Sequence, residues 1–166
     1  MKAIFERKSI RKYTNQKIEK DVIEKILAAG MSAPSARDAR PWHFIVVQNK
    51  ETLKNMSKLT PYAKMLEQAA MGMVICADQN HHLNIDYDLQ DCAAVTENMI
   101  IEAQSLGIGT CWIGGYPNQD RIENMTQYFQ LPEHIVPLWM LSFGYPNEDG
   151  AVKNKWDDSR IHWEKY

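Results

Sequence analysis

Residues 89–115, LQDCAAVTENMIIEAQSLGIGTCWIGG, carry the pattern that indicates the architecture most directly. Apolar side chains recur at helical spacing as far as Leu106, and Gly107 supplies a C-terminal stop. Because the opposite face is scarcely more polar, this helix is expected to be the most buried one. A short apolar run closed by Gly114 and Gly115 follows it and predicts a strand.

Helices and strands mingle on both sides of this stretch, with no internal repeat and no Pro/Ser-rich linker. Short apolar, β-branched runs predict strands at residues 42–48, 73–77 and 136–143. Apolar residues at helical spacing predict further helices at about 17–29, 50–59, 63–70 and 119–129. The basic residues before position 17 are expected to begin another helix. The chain 1–166 is therefore predicted to be one domain of α+β or α/β type.

Length and composition are those of an ordinary globular domain. The 166 residues suffice to bury a core without disulfides, and 45% hydrophobic and 24% charged residues lie near globular averages. No run approaches the roughly 20 apolar residues of a membrane span. Nineteen Lys and Arg against 21 Asp and Glu leave a net charge of −2, so there is no overall basic field to bind nucleic acid.

The three cysteines, Cys76, Cys92 and Cys111, are odd in number and have apolar neighbours. They are interpreted as buried thiols in a reducing compartment, and the N-terminus lacks the apolar run of a secretory signal. A cytoplasmic location is therefore expected. Cys76, His81 and His82 match no standard zinc spacing, so no metal site is predicted.

The tail at residues 147–166 is polar but includes four large apolar side chains, Trp156, Ile161, Trp163 and Tyr166. These are too many anchors for a disordered end. The tail is expected to dock, either on the surface of its own chain or around a second protomer.

Three segments contain residues suited to ligand chemistry. In the first, Arg7-Lys8-Ser9-Ile10-Arg11, three cations and a hydroxyl are close enough to converge on one anion such as a phosphate. An exposed basic helix face is the commoner fate of such a cluster. The second, residues 32–42 (SAPSARDARPW), brackets small side chains with prolines, so main-chain N–H groups can approach a planar or anionic ligand. A plain connecting loop is the alternative.

The third segment, residues 108–115 (IGTCWIGG), ends a strand with two glycines. Such an ending can leave an amide pointing out of the sheet edge, where it can donate to a ring nitrogen of a cofactor. Paired glycines are more often a turn, and the GxGxxG spacing of a dinucleotide fold is absent.

Together, the order and spacing of these segments resemble the short FMN-dependent proteins of the nitroreductase family. The resemblance covers essentially the whole chain and extends to further segments, DCAAVTEN (91–98), LPEH (131–134), FGYP (143–146) and SRIHW (159–163). It implies an α+β fold with a mixed, mainly antiparallel sheet wrapped by helices. It also implies an intertwined homodimer with FMN at the interface, and a tail at residues 147–166 that wraps the partner.

The resemblance further implies a set of flavin-contacting residues. Arg7 and Ser9, with Lys8 between them, would serve the phosphate and ribityl side, and Arg11 the pyrimidine end. The loop from the other protomer would contribute Pro34, Ser35, Ala36 and Asp38. The edge facing flavin N5 would be formed by Ile113, Gly114 and Gly115, and the remaining contacts would come from Lys64 and Lys155.

Three positions depart from the family pattern. Asp38 and Arg40 replace the usual Asn and Gln, and they either neutralise each other or leave Asp38 unpaired, which would lower the flavin potential. Lys155 replaces an Arg and gives up the bidentate fork, so phosphate affinity is expected to fall modestly.

The function implied by the resemblance is FMN-dependent electron transfer from NAD(P)H to nitroaromatic, quinone or similar small acceptors. The mechanism would be ping-pong, with no side chain as obligatory acid or base. Two alternatives stay open at this point. One is a non-catalytic protein that binds, senses or stores FMN, and the other is a related flavin enzyme such as a dehalogenase.

Overall fold

The computed structural model describes residues 2–80 and 84–166, and its centre is a four-stranded sheet. The strand order is β1-β2-β4-β3, and every neighbouring pair is antiparallel. The strands are β1 (Trp42–Val47), β2 (Met71–Asp78), β3 (Gly109–Gly114) and β4 (Ile135–Gly144). Strands β1 and β3 are therefore the edges of the sheet.

Five α-helices surround this sheet within the described part of the chain: α1 (Ala3–Glu6), α2 (Lys20–Met31), α3 (Lys50–Met56), α4 (Ile85–Ser105) and α5 (Gln119–Phe129). Single 3₁₀ turns occur at Ala36–Asp38, Lys64–Glu67 and Asp158–Arg160. Asparagine begins three of the helices, because the side chains of Asn49, Asn84 and Asn118 accept hydrogen bonds from first-turn N–H groups. None of the described helices is both long and apolar enough to span a bilayer.

Strand β2 is buried along its whole length because both faces of the sheet are covered. Met73 and Ile75 face the core under α2 and α4, whereas Val74 and Cys76 face a second core under α3 and α5. A side chain at Gly30 would come within 2.4 Å of Met99, so this glycine allows α2 and α4 to pack closely. The predicted α+β fold with a mainly antiparallel sheet wrapped by helices is confirmed, and a parallel bridge joins Ser9 to Thr110 at the sheet edge.

Two predicted elements were wrong. The basic segment is not helical, because α1 ends at Glu6 and the backbone of Ser9 and Ile10 pairs with Thr110 instead. This pairing buries the Ile10 side chain, a gain that outweighs local helix propensity. The helix predicted for residues 63–70 is only the turn Lys64–Glu67, since the N–H of Ala70 already donates to Phe143 of β4.

Of the two expectations for the tail, docking on the surface of its own chain is not what the structure shows for the large aromatic side chains. Trp156 and Trp163 are 70% and 84% exposed, and Tyr166 is fully exposed. Ile161 is half-buried. The large aromatic side chains of the tail thus face outward from the single chain.

Candidate functional site

An open cleft of about 1130 Å³ lies between the basic segment and the first half of the tail. Its volume is slightly above the usual range for small-molecule sites. It brings together five of the predicted cofactor-binding residues: Arg7, Lys8, Ser9, Arg11 and Lys155. The apolar part of its lining includes Ile4, Phe5 and Trp156.

The cleft is strongly cationic. Lys153 adds a fifth cation that sequence reasoning missed, and none of the described residues that line the cleft is Asp or Glu. Arg7 has an acidic neighbour, Glu97 of α4, whose Oε1 lies 3.7 Å from its Nε. Several converging cations with a hydroxyl form a donor set suited to a phosphate.

Glu148 links the two walls of the cleft, which are the basic segment and the first half of the tail, by hydrogen bonds. Its Oε1 accepts the backbone N–H groups of Arg11 and Lys12 at 2.6 and 3.2 Å. The bond from Arg11 is the largest cause of a lowered pKa at this carboxyl. Nearby, Lys8 Nζ donates to the carbonyl of Gly150. Sequence reasoning missed Glu148 because its partners are main-chain groups more than 130 positions away.

The outer edge of β3 runs away from this cleft. The carbonyl of Thr110 accepts the N–H of Ile10 there at 2.8 Å, so alternate residues of the strand, including Gly114, also direct their backbone groups outward. The four steps along the strand from Thr110 to Gly114 span about 13 Å. The anion-binding cleft and the outward-facing backbone of Gly114 thus lie along a single edge of the sheet.

Gly114 and Gly115, at the end of this edge, differ in the space around their side-chain positions. A side chain on Gly115 would meet the carbonyl oxygen of Leu138 at 2.6 Å, so packing excludes one. A side chain on Gly114 would meet nothing within 4 Å. Gly114 is exposed, whereas the preceding Ile113 is buried in the core. The open space over Gly114 can receive a flat ring.

The loop with Pro34, Ser35 and Ala36 lies outside the cleft of its own chain. The buried carboxylate of Asp91 on α4 holds it, accepting the N–H of Ala36 at 3.0 and 3.2 Å. Ser35 Oγ accepts the N–H of Arg40 at 3.0 Å. Asp91 belongs to a segment singled out in the sequence, but its role was not predicted. The group that it binds is a backbone amide 55 residues away.

Asp38 and Arg40 pair with each other rather than leaving Asp38 alone. Two bonds of 2.7 Å join the guanidinium to the two carboxylate oxygens. Hydrogen bonding by Arg40 lowers the pKa of the Asp38 carboxyl. Arg37, Asp38 and Arg40 all have positive φ, at 53°, 56° and 49°, a conformation that non-glycine residues adopt only when their surroundings hold them there.

The remaining predicted residues are less informative. Lys64 is exposed on its 3₁₀ turn and does not line the cleft. The cysteines are free and buried, and burial raises the pKa of the Cys76 thiol to about 12. Burial also raises the pKa of Cys111, although the adjacent Arg11 opposes the shift. Within residues 2–80 and 84–166 no His, Cys, Asp and Glu group could hold a metal, and His81 and His82 lie outside the described residues.

Comparison with known proteins gives consistent matches. The model of the nitroreductase family matches residues 4–60 and 56–145. A predicted NADH dehydrogenase/NAD(P)H nitroreductase of Methanothermobacter thermautotrophicus is 40% identical, over all of this chain and 87% of that protein. A crystal structure of a similarly named protein from Bacteroides thetaiotaomicron is 43% identical, with a TM-score of 0.93 over 99% of this chain and 96% of that one. An FMN-dependent nitroreductase of Clostridium difficile is 28% identical, with a TM-score of 0.93 over the full length of both chains.

Proposed function

This chain belongs to the nitroreductase family, and on that premise we propose that it binds FMN and reduces nitroaromatic, quinone or similar small acceptors with electrons from NAD(P)H. FMN, once bound there, would supply the redox chemistry that links the nicotinamide donor to the acceptor. The observation that carries the proposal is the cationic cleft, which lies on the same sheet edge as the open backbone at Gly114.

The residues at this edge fit a ligand that has a phosphate at one end and a flat ring at the other. Arg7 and Ser9 would hold the phosphate, with Lys155 opposite them across the cleft. Arg11 lies on the same wall and would face the ring's pyrimidine edge. Because no atom lies within 4 Å of the side-chain position at Gly114 and its backbone faces the outer edge of β3, its amide would be accessible to the ring.

A second copy of the chain would complete the site. The loop at residues 34–36 lies outside its own cleft, and the aromatic side chains of the tail are exposed, so both are free to contact a partner. We infer a homodimer with one FMN per protomer, in which residues 1–166 form a single domain and residues 147–166 wrap the neighbour. The buried, free cysteines favour a reducing location such as the cytoplasm.

The test combines stoichiometry with redox cycling. We expect the purified protein to be a yellow dimer with one FMN per chain. NADH or NADPH should bleach it, and a nitroaromatic or quinone should restore the colour. Parallel double-reciprocal plots at several fixed acceptor concentrations would support the ping-pong order.

Each alternative has its own outcome. Tight FMN binding without bleaching by either nicotinamide would indicate a protein that stores or senses FMN. A monomer that still binds FMN tightly would contradict the interface site, and failure to bind FMN at all would refute the proposal.

A further inference from the structure

Arg121, which is not part of any predicted motif, contacts Gly114 of the candidate site. It lies in the first turn of α5, where its N–H donates to the capping Asn118 at 3.1 Å. Its half-buried side chain runs back toward β3, and Nη1 donates to the carbonyl of Gly114 at 3.0 Å. The guanidinium lies over the ring of Tyr62, 4.9 Å from the ring centre.

The hydrogen-bond pattern of the sheet determines which way Gly114 faces. The carbonyl of Phe143 accepts from Ala70, on the β2 side of β4, so the opposed pair Thr110–Phe143 is one without mutual hydrogen bonds. The two pair types alternate along the ladder, and the opposed pair Gly114–Trp139 lies four positions further on. It is therefore also a pair without mutual hydrogen bonds. Both the N–H and the carbonyl of Gly114 therefore point to the outer edge, and the carbonyl meets Arg121 there.

This contact matters because Gly114 is the last residue of β3 and makes no ladder hydrogen bond of its own to β4. Glycine samples the widest range of backbone angles, and no atom lies within 4 Å of the side-chain position at Gly114. Strand pairing before it and the Tyr116–Leu138 bond after it limit this freedom, and the charge-assisted bond from Arg121 is the contact that acts on the Gly114 carbonyl itself. The planar guanidinium is itself held by Tyr62, an arrangement that a flexible lysine reproduces only in part.

We propose that Arg121 is a positioning residue that holds Gly114 so that its N–H is presented to N5 of the flavin. The inference rests on the proposed FMN site and deepens it. Oxidised FMN accepts a hydrogen bond at N5, and this bond is the one that Arg121 makes available. Arg121 thus acts on the cofactor through the backbone.

The experiment compares FMN with 5-deaza-FMN, in which a C–H replaces N5 and cannot accept a hydrogen bond. Both ligands share the phosphate and the pyrimidine ring, so overall charge and general packing affect them alike. Dissociation constants of both are measured for the wild-type dimer and for Arg121→Met. We expect the wild type to prefer FMN about fivefold, in line with one net hydrogen bond, and Arg121→Met to prefer it less than about twofold.

Three further variants separate positioning from a packing defect. Arg121→Lys keeps a cationic donor and should retain part of the preference. Tyr62→Leu frees the guanidinium and should also lower the preference in part, which tests the idea should Arg121→Met fold poorly. Asn124→Ala is the matched control, because Asn124 anchors the same helix to the carbonyl of Leu59 at 3.2 Å, and it should keep the full preference.

The outcomes are distinct. An equal loss of affinity for both ligands in Arg121→Met, or a wild type without any preference, would overturn the role of Arg121 while FMN binding stands. A similar loss of preference in Asn124→Ala would assign the effect to helix packing and would also overturn it. A wild type that binds neither ligand would instead refute the proposed function.

Discussion

Strand β2 and the C-terminal tail both carry large apolar side chains, but the chain buries only the first. Met71, Met73 and Ile75 are completely buried between the two helical layers. Trp156 and Trp163 retain most of their surface exposed. The tail is nevertheless attached to the fold, since Asn147 and Glu148 hydrogen-bond to Lys12 and Arg11.

The difference shows that apolar content alone does not decide burial. A side chain in β2 has neighbours on both faces of the sheet, whereas the described part of the chain leaves the two tryptophans of the tail largely uncovered. The proposed dimer would cover these aromatic side chains. The candidate cleft joins the two regions, because one wall is paired with the sheet and the other belongs to the tail.

Deleting residues 156–166 should give the largest effect. If the tail is buried against a partner, the deletion removes the burial of Trp156, Trp163 and Tyr166, which contributes several kcal/mol to association. Sedimentation equilibrium should show a much weaker dimer. Deletion of residues 164–166 alone is the control and should weaken it less. An unchanged dimer would refute the wrapped tail.

Single substitutions in the two regions should differ in how they depend on protein concentration. Ile75→Ala leaves a cavity in the core and should lower the free energy of unfolding by about 3 kcal/mol. Trp163→Ala should act through dimer association, so its destabilisation should vanish as the protein is diluted below the dimer dissociation constant. Urea titrations at several concentrations measure both. A concentration-independent loss in Trp163→Ala would place that side chain in its own chain's core.

On the wall of the cleft that pairs with the sheet, Arg11 is expected to affect the flavin potential and Arg7 the affinity for FMN. Arg11→Gln should lower the two-electron potential of bound FMN, by roughly 30 mV for each 1.4 kcal/mol of preference for the anionic reduced flavin that is lost. Arg7→Gln should instead weaken FMN binding equally in both redox states, because the phosphate does not change charge. Titration against a reference dye distinguishes them. A potential shift in Arg7→Gln with none in Arg11→Gln would reverse the assignment.

The smallest effect is expected at Asp38, which is exposed like the tail but has its partner within the same loop. Asp38→Asn should shift the flavin potential less than Arg11→Gln, since solvent and salt screen the charge. Because Arg40 lowers the pKa of Asp38, the pair's contribution is present above the ordinary carboxyl pKa and is lost as the pH falls through the lowered value. Thermal melts of both proteins between neutral and acidic pH check this. A larger potential shift than in Arg11→Gln would indicate an unscreened contact with the flavin.

Elements with strong local signals were predicted well. The helix expected at 119–129 is α5, because Asn118 caps it and Gln130 ends it in a left-handed conformation. The strand expected at 42–48 is β1, which ends one residue earlier, and the strand expected at 136–143 is β4, which is one residue longer at each end. The motif residues of the basic segment do share a cleft with Lys155, although the segment is extended rather than helical.

Contacts made through distant backbone groups could not be predicted. Glu148, Asp91 and Arg121 each bond to a main-chain N–H or carbonyl, and any residue type at the other end would offer the same group. The residue pattern around Arg7 and Arg11 also cannot predict the pairing with Thr110, and this pairing makes the segment extended.

Local propensity, capping and apolar periodicity therefore determined the elements, their order and the family resemblance, because these depend on neighbours a few residues apart. Tertiary structure decided the conformation of the basic segment, the outward-facing backbone of Gly114 and the exposure of the tail. Each of these depends on which surfaces meet after the chain has folded, and a burial gain or a long-range hydrogen bond there outweighs the local preference.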